Sequence, residues 1–225
     1  MPSRSDLLRF GRAQAAIVAA ARRELGAFLA MLPGDPSAAR AAVEEFFPAL
    51  IRSYGEVGVA LAAEWFEDTA PTDAARVVLA DMLPDEQVAG TLRWALSGDP
   101  AARLGQATQR LVLQPARRTI GLSAGASGVR WARVPSRPDP CAFCRMLASR
   151  TDYRSLESAG GDVGSPDNFH DDCGCQPTAL WPGEPLPAGY DPDAFYGQYL
   201  DAREAADRGD PSASLTAFRE GQGVR

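Results

Sequence analysis

The sequence predicts a mainly α protein: a helical bundle or elongated helical unit at the N-terminus, followed by a small α+β zinc-binding module. Three observations predict it. Apolar residues recur at three-, four- and seven-residue steps through the first hundred residues. Asp35-Pro36 and Asp99-Pro100 each offer a capping carboxylate followed by a proline at the first helical position, where its missing N–H costs nothing. All four cysteines and the single histidine fall within 35 residues, from 141 to 175.

Composition sets the outer limits. With 225 residues, 45% hydrophobic and 23% charged, and a mean hydropathy of -0.20, the chain has material for one or two globular domains, and collagen and wholesale disorder are excluded. No run approaches the roughly 18 apolar residues of a membrane span, so no membrane partner is expected. The opening MPSRSDLLRF has no apolar core of a signal peptide, and a reducing cytoplasm is the expected site of synthesis.

The elements follow in order. Leu7, Phe10, Ile17, Ala21, Leu25, Phe28 and Leu32 form one stripe of a long helix that Pro33-Gly34 stops. A second helix starts at Asp35-Pro36 with Ala42, Val43, Phe46, Phe47, Leu50, Ile51 and Tyr54 on its apolar face; Pro48 is expected to kink or split it. Gly55 punctuates, and Val59 to Phe66 continue with helical propensity. Shorter helices are expected from Asp73 to Met82, from Asp85 to Leu96, and after Asp99-Pro100. The helical domain is placed at 1–114, and a flexible Gly/Ala/Ser-rich connection at 115–128, around Gly121, Gly125 and Gly128. Val129 to Val134 alternates as a short strand and opens the zinc module, 129–180. A Pro-rich acidic arm, 181–225, carries one docked helix around Asp193 to Arg208.

Charge is unevenly distributed. The net charge is -6, and every one of the 23 basic side chains is arginine. Residues 103–154 hold 10 arginines against 2 acids, whereas 155–225 hold 4 against 13. Such a segment either contacts phosphate or neutralises the chain's own acidic tail, the second being the simpler reading. Arg117, Arg118, Arg130 and Arg133 are the candidate phosphate or partner contacts.

The chemistry is concentrated in Cys141-Ala-Phe-Cys144 and His170-Asp-Asp-Cys173-Gly-Cys175. A Cys-x-x-Cys knuckle aims two thiolates at one centre, and a second cluster completes a tetrahedron around Zn2+. Five candidates compete for four positions: Cys141, Cys144, His170, Cys173 and Cys175. The favoured set is Cys141, Cys144 and His170 with one of Cys173 and Cys175; four thiolates without His170 is the alternative. The Gly-rich loop between the clusters suits a metal clip, so zinc removal should unfold the module.

Other chemistries fit less well. Paired disulfides suit secreted chains, and a redox Cys-x-x-Cys would leave the second cluster unexplained. Pro140-Cys141-Ala-Phe-Cys144 matches half of a zinc deaminase signature, but no histidine precedes it and no His-x-Glu exists. Five nearby ligand candidates favour a closed metal site over an open, catalytic one. With one histidine and no lysine, triad catalysis and a P-loop lack their essential residues. The expectation is a protein without enzymatic activity.

Trp131-Ala-Arg-Val-Pro135, Cys141-Ala-Phe-Cys-Arg-Met-Leu-Ala-Ser-Arg150, Tyr153 and Phe169-His-Asp-Asp-Cys-Gly-Cys175 together resemble the phage Mu F-like minor head proteins, in the form found in phages of actinobacteria. Ile51-Arg-Ser-Tyr-Gly55 and Ala60-Leu-Ala-Ala-Glu-Trp-Phe66 are similar in the helical half, and the resemblance covers about residues 40–200. It implies a minor capsid component of the virion, present in multiple copies at the portal vertex or capsid interior. The implied partners are the portal protein, the major capsid or scaffold protein and phage DNA. The protease and toxin domains fused to some relatives are not expected here. A zinc-dependent nucleic-acid-binding regulatory protein is the alternative, against which the overall acidity counts.

Overall fold

In the computed structural model, residues 2–71, 73–136, 140, 142–151, 169, 171 and 173–205 are described. Their elements are α1 (Arg4–Ala30), α2 (Pro36–Thr69), α3 (Asp85–Leu96), α4 (Pro100–Ala126), β1 (Arg130–Pro135), α5 (Ala142–Ala148), β2 (Cys175–Leu180) and α6 (Pro192–Ala205). The fold is therefore mainly α with a small two-stranded sheet and a cysteine cluster toward the C-terminus.

The local start signals operate as the sequence indicates. Asp35 Oδ1 accepts from Ala38 N at 2.8 Å and Asp99 Oδ1 from Ala102 N at 3.2 Å, opening α2 and α4. A capping box opens α1: Ser3 Oγ accepts from Asp6 N while Ser3 N donates to Asp6 Oδ2. The α1 stripe buries Leu7, Phe10, Ala21 and Leu25. Phe10 stacks on Trp65 at 4.6 Å and Phe28 on Phe46 at 3.8 Å, fastening α1 to both halves of α2.

Four local expectations are corrected. First, Pro48 does not split the second helix: α2 is one helix of 34 residues with the proline inside it. Burial of Val43, Phe47, Leu50 and Ile51 around the proline outweighs its lost hydrogen bond. Gly55 and Gly58 do not punctuate. A Cβ on Gly55 would stand 3.3 Å from Met82 Sδ, and one on Gly58 3.4 Å from the Ala116 Cβ, so both let α2 approach its neighbours closely.

Second, residues 75–84 are not helical. They run extended beside α4, and its hydroxyls satisfy their backbone. Arg76 N, Val78 N and Ala80 N donate to Ser127 Oγ (2.9 Å), Ser123 Oγ (2.9 Å) and Thr119 Oγ1 (3.1 Å) respectively. Four helical residues rise about 6 Å and two extended residues about 6.6 Å, so hydroxyls every fourth residue match amides every second. Ser123 also returns a bond to the Val78 carbonyl. Ser123→Ala strands that carbonyl and amide, and is expected to cost about 1–2 kcal/mol, roughly 2–8 °C in Tm by calorimetry. An unchanged Tm would show that the ladder contributes nothing.

Third, residues 115–126 are the second half of α4 and not a flexible connection. Ala116, Ile120 and Ala124 are completely buried, and that packing holds the glycines in helical conformation. Two apolar clusters result, and α1, α2 and α4 contribute to both.

Fourth, the chain after Cys175 forms a strand that the proline-rich composition concealed. β2 pairs antiparallel with β1, with Arg130 opposite Leu180 and Pro135 opposite Cys175. Pro177 is tolerated because each strand of a two-stranded sheet has a free edge. Such a ribbon is marginal alone; here it packs on α4 while α5 packs on β1. Trp181 and Tyr190 of the expected arm are buried, and Tyr190 donates to the Ala148 carbonyl at 2.5 Å. The arm is docked as far as α6.

Candidate metal centre

β1 and β2 deliver the two cysteine clusters to one place. The ladder continues one residue past the sheet, where Ser136 N and Oγ both donate to the Gly174 carbonyl at 3.0 and 2.6 Å. Residues 173–175 are thereby fixed beside the chain entering α5, whose first turn carries Cys144.

Cys144, Cys173 and Cys175 are all buried, and their sulfurs lie within 4.8 Å of one another. Cys144 Sγ and Cys173 Sγ are 3.5 Å apart. A disulfide needs about 2.05 Å, and none of these three cysteines forms one. Tetrahedral zinc–thiolate bonds of about 2.3 Å place sulfurs about 3.8 Å apart, so the cluster fits a thiolate-bound ion far better than a covalent pair. Three close thiols buried together could hold a metal ion.

Both Cys173 and Cys175 stand beside Cys144, where the favoured set took only one of them. An ion held by all three would leave one tetrahedral position for Cys141 or His170. Cys141 and His170 lie outside the described residues, as does Asp172; Asp171 is tied to Arg110 of α4 at 2.9 Å.

The surroundings are cationic. Arg117 and Arg133 are only 2% and 0% exposed. Their guanidinium carbons stand 4.1 and 3.8 Å from the centroid of the Phe169 ring, and Phe169 packs within the cysteine cluster. Arg117 Nη2 and Gln109 Nε2 both donate to the Cys173 carbonyl, at 2.9 and 3.0 Å. α4 thus holds the ligand-bearing turn by two side chains on one face, eight residues apart.

This placement turns Arg117 and Arg133 away from the outer surface: their guanidiniums are buried against the Phe169 ring and do not face a DNA duplex or a partner's surface. Arg130 is exposed and Arg118 half-buried. The burial has an electrostatic reason. Desolvation lowers the pKa of Arg117, while Cys173 and Cys175 counteract it and Arg133 adds to it. Three thiolates around a divalent ion leave a charge of -1 and four leave -2; the two guanidiniums supply +2. Without an ion between the sulfurs, the hydrogen bond to Cys144 lowers the Cys175 pKa, but that to Cys173, burial and the neighbouring Cys173 charge outweigh it and push the thiol well up.

Gln109, Arg110 and Phe169 were not among the sequence candidates. Gln109 had a signal only as a polar residue within the buried stripe of α4, which also buries Thr108, Gln114 and Thr119, and Phe169 only as the residue preceding His170 in the second cluster.

The VG15 protein family model matches residues 1–202, taking in the helices and the cysteine centre together. No curated protein and no solved structure matches the chain.

Proposed function

We propose, from the premise that the chain belongs to the VG15 protein family, a family of phage proteins, that it is a non-catalytic minor head protein of a tailed bacteriophage or prophage, held by structural zinc. Its place is the portal vertex or capsid interior, with the portal protein and the major capsid or scaffold protein as partners during head assembly. The carrying observation is the buried convergence of Cys144, Cys173 and Cys175 beside two buried cations. It supports a fastener, since catalytic zinc keeps a coordination position open to water or substrate. The charge balance supports Cys141 as the fourth ligand, because four thiolates offset Arg117 and Arg133 and three with His170 do not.

No described helix is long and apolar enough to cross a membrane. Of the four candidate arginines, Arg118 and Arg130 remain for packaged DNA or an acidic partner, where arginine's forked geometry suits phosphate and carboxylate alike.

Two measurements test the reading. Protein purified without added metal should carry about one zinc per chain, retained in His170→Ala and lost in Cys141→Ser. Mass spectrometry of purified virions should find the chain at a fixed ratio to the portal protein. Its absence from virions, with normal heads formed when its gene is deleted, would overturn the head-protein assignment.

A further inference from the structure

A cleft of about 390 Å3 opens between α1, α4 and the start of β2, on the α1 side of the cysteine centre. That volume is within the range of small-molecule sites. Arg12 and Arg22 of α1 line it, with Gln14, Arg117 and Gln176. Gln14, Arg117 and Gln176 are more than nine-tenths buried, yet Gln14 Nε2, Arg117 Nε and Nη1, and both amide atoms of Gln176 have no hydrogen-bond partner among the described residues. Leaving so many buried polar atoms unmet costs free energy at each one. The place for the Gln176 amide is made by Gly11, where a Cβ would stand 2.7 Å from Gln176 Nε2.

Among the described residues no carboxylate lines the cleft, and its wall toward the cysteine centre is formed by Cys173, Gly174 and Cys175. The geometry points to a binding site for a small phosphate-class oxyanion, taken up between the two glutamine amides and Arg117. Its oxygens accept from Gln14 Nε2, Gln176 Nε2 and the Arg117 guanidinium, with Arg12 adding positive charge. Gln176 Oε1 also needs a donor. A phosphate that keeps one proton provides it, and a carboxylate, which only accepts, does not. The site is independent of the head-protein reading.

The test is the Tm of the full zinc-loaded chain, titrated with inorganic phosphate, a deoxynucleoside 5′-monophosphate, acetate and duplex DNA at constant ionic strength. Phosphate or the monophosphate is expected to raise Tm by roughly 5–10 °C at a hundred times the dissociation constant. Gln14→Leu and Gln176→Leu should abolish the rise while leaving zinc content and the ligand-free Tm unchanged or higher, since each removes an unmet buried amide. Arg12→Ala, on the exposed side of α1, should weaken binding severalfold and serves if the amide variants do not fold. The relative responses to the two phosphates identify the source of the group. The site is overturned by a rise that sodium chloride reproduces, by one that survives both leucine variants and Arg12→Ala, by acetate binding as tightly as phosphate, or by a response to duplex DNA alone.

Discussion

Cys173→Ser is expected to weaken zinc binding at the cysteine centre and loosen the sheet that it fastens. Structural zinc contributes about 10–16 kcal/mol to the modules that it folds. One ligand of four then accounts for about 3 kcal/mol, a loss in affinity of roughly 150-fold. Cys173 is the residue to choose because its carbonyl is held independently by Gln109 and Arg117. The substitution thus removes a thiolate without removing the turn's anchors. Zinc content by mass spectrometry and amide exchange of β1 and β2 are the readouts. Full zinc retention with unchanged protection of both strands would show that the sulfurs are neighbours and not ligands. Cys144→Ser and Cys175→Ser should behave alike, because all three sulfurs share one centre.

Arg117→Met should change stability in opposite directions depending on the metal. With the ion bound, removing a buried cation leaves the thiolate charge undercompensated, and a broken buried pair costs about 3–5 kcal/mol. With the ion stripped and the thiols protonated, the same guanidinium is a buried charge beside a second one, Arg133, and its own pKa is already lowered by desolvation. Methionine, similar in reach and apolar, should then be neutral or stabilising. Urea midpoints with and without chelator measure both states. Destabilisation of equal size in both would mean that Arg117 acts through the bond to the Cys173 carbonyl and the Phe169 stack alone.

These results would bear on how the centre was assembled from the chain. The cysteines are conspicuous in the sequence because soft ligands at short spacing have few other uses. The arginines are harder to place from sequence, because a cluster of cations looks the same whether it faces the outer surface or an anion inside the fold. Only burial distinguishes the two, and it depends on β1 pairing with a strand 45 residues onward. The cleft was illegible for a related reason: Gln14, Arg117 and Gln176 come from three elements and share no spacing.

By itself the sequence determined what is set within a few residues: the capped starts of α2 and α4, the span Asp85–Leu96 of α3, the α1 stripe, and the gathering of metal-seeking side chains. Those features depend on neighbours three or four positions away, which any reader of the chain can see. The tertiary structure alone decided that Pro48 stays inside a helix and that 75–84 lies extended along the hydroxyls of α4. It also decided that a proline-bearing segment becomes β2, and that two arginines turn inward. In each case a partner distant in sequence supplies the hydrogen bond, the packing surface or the counter-charge that local preference lacks.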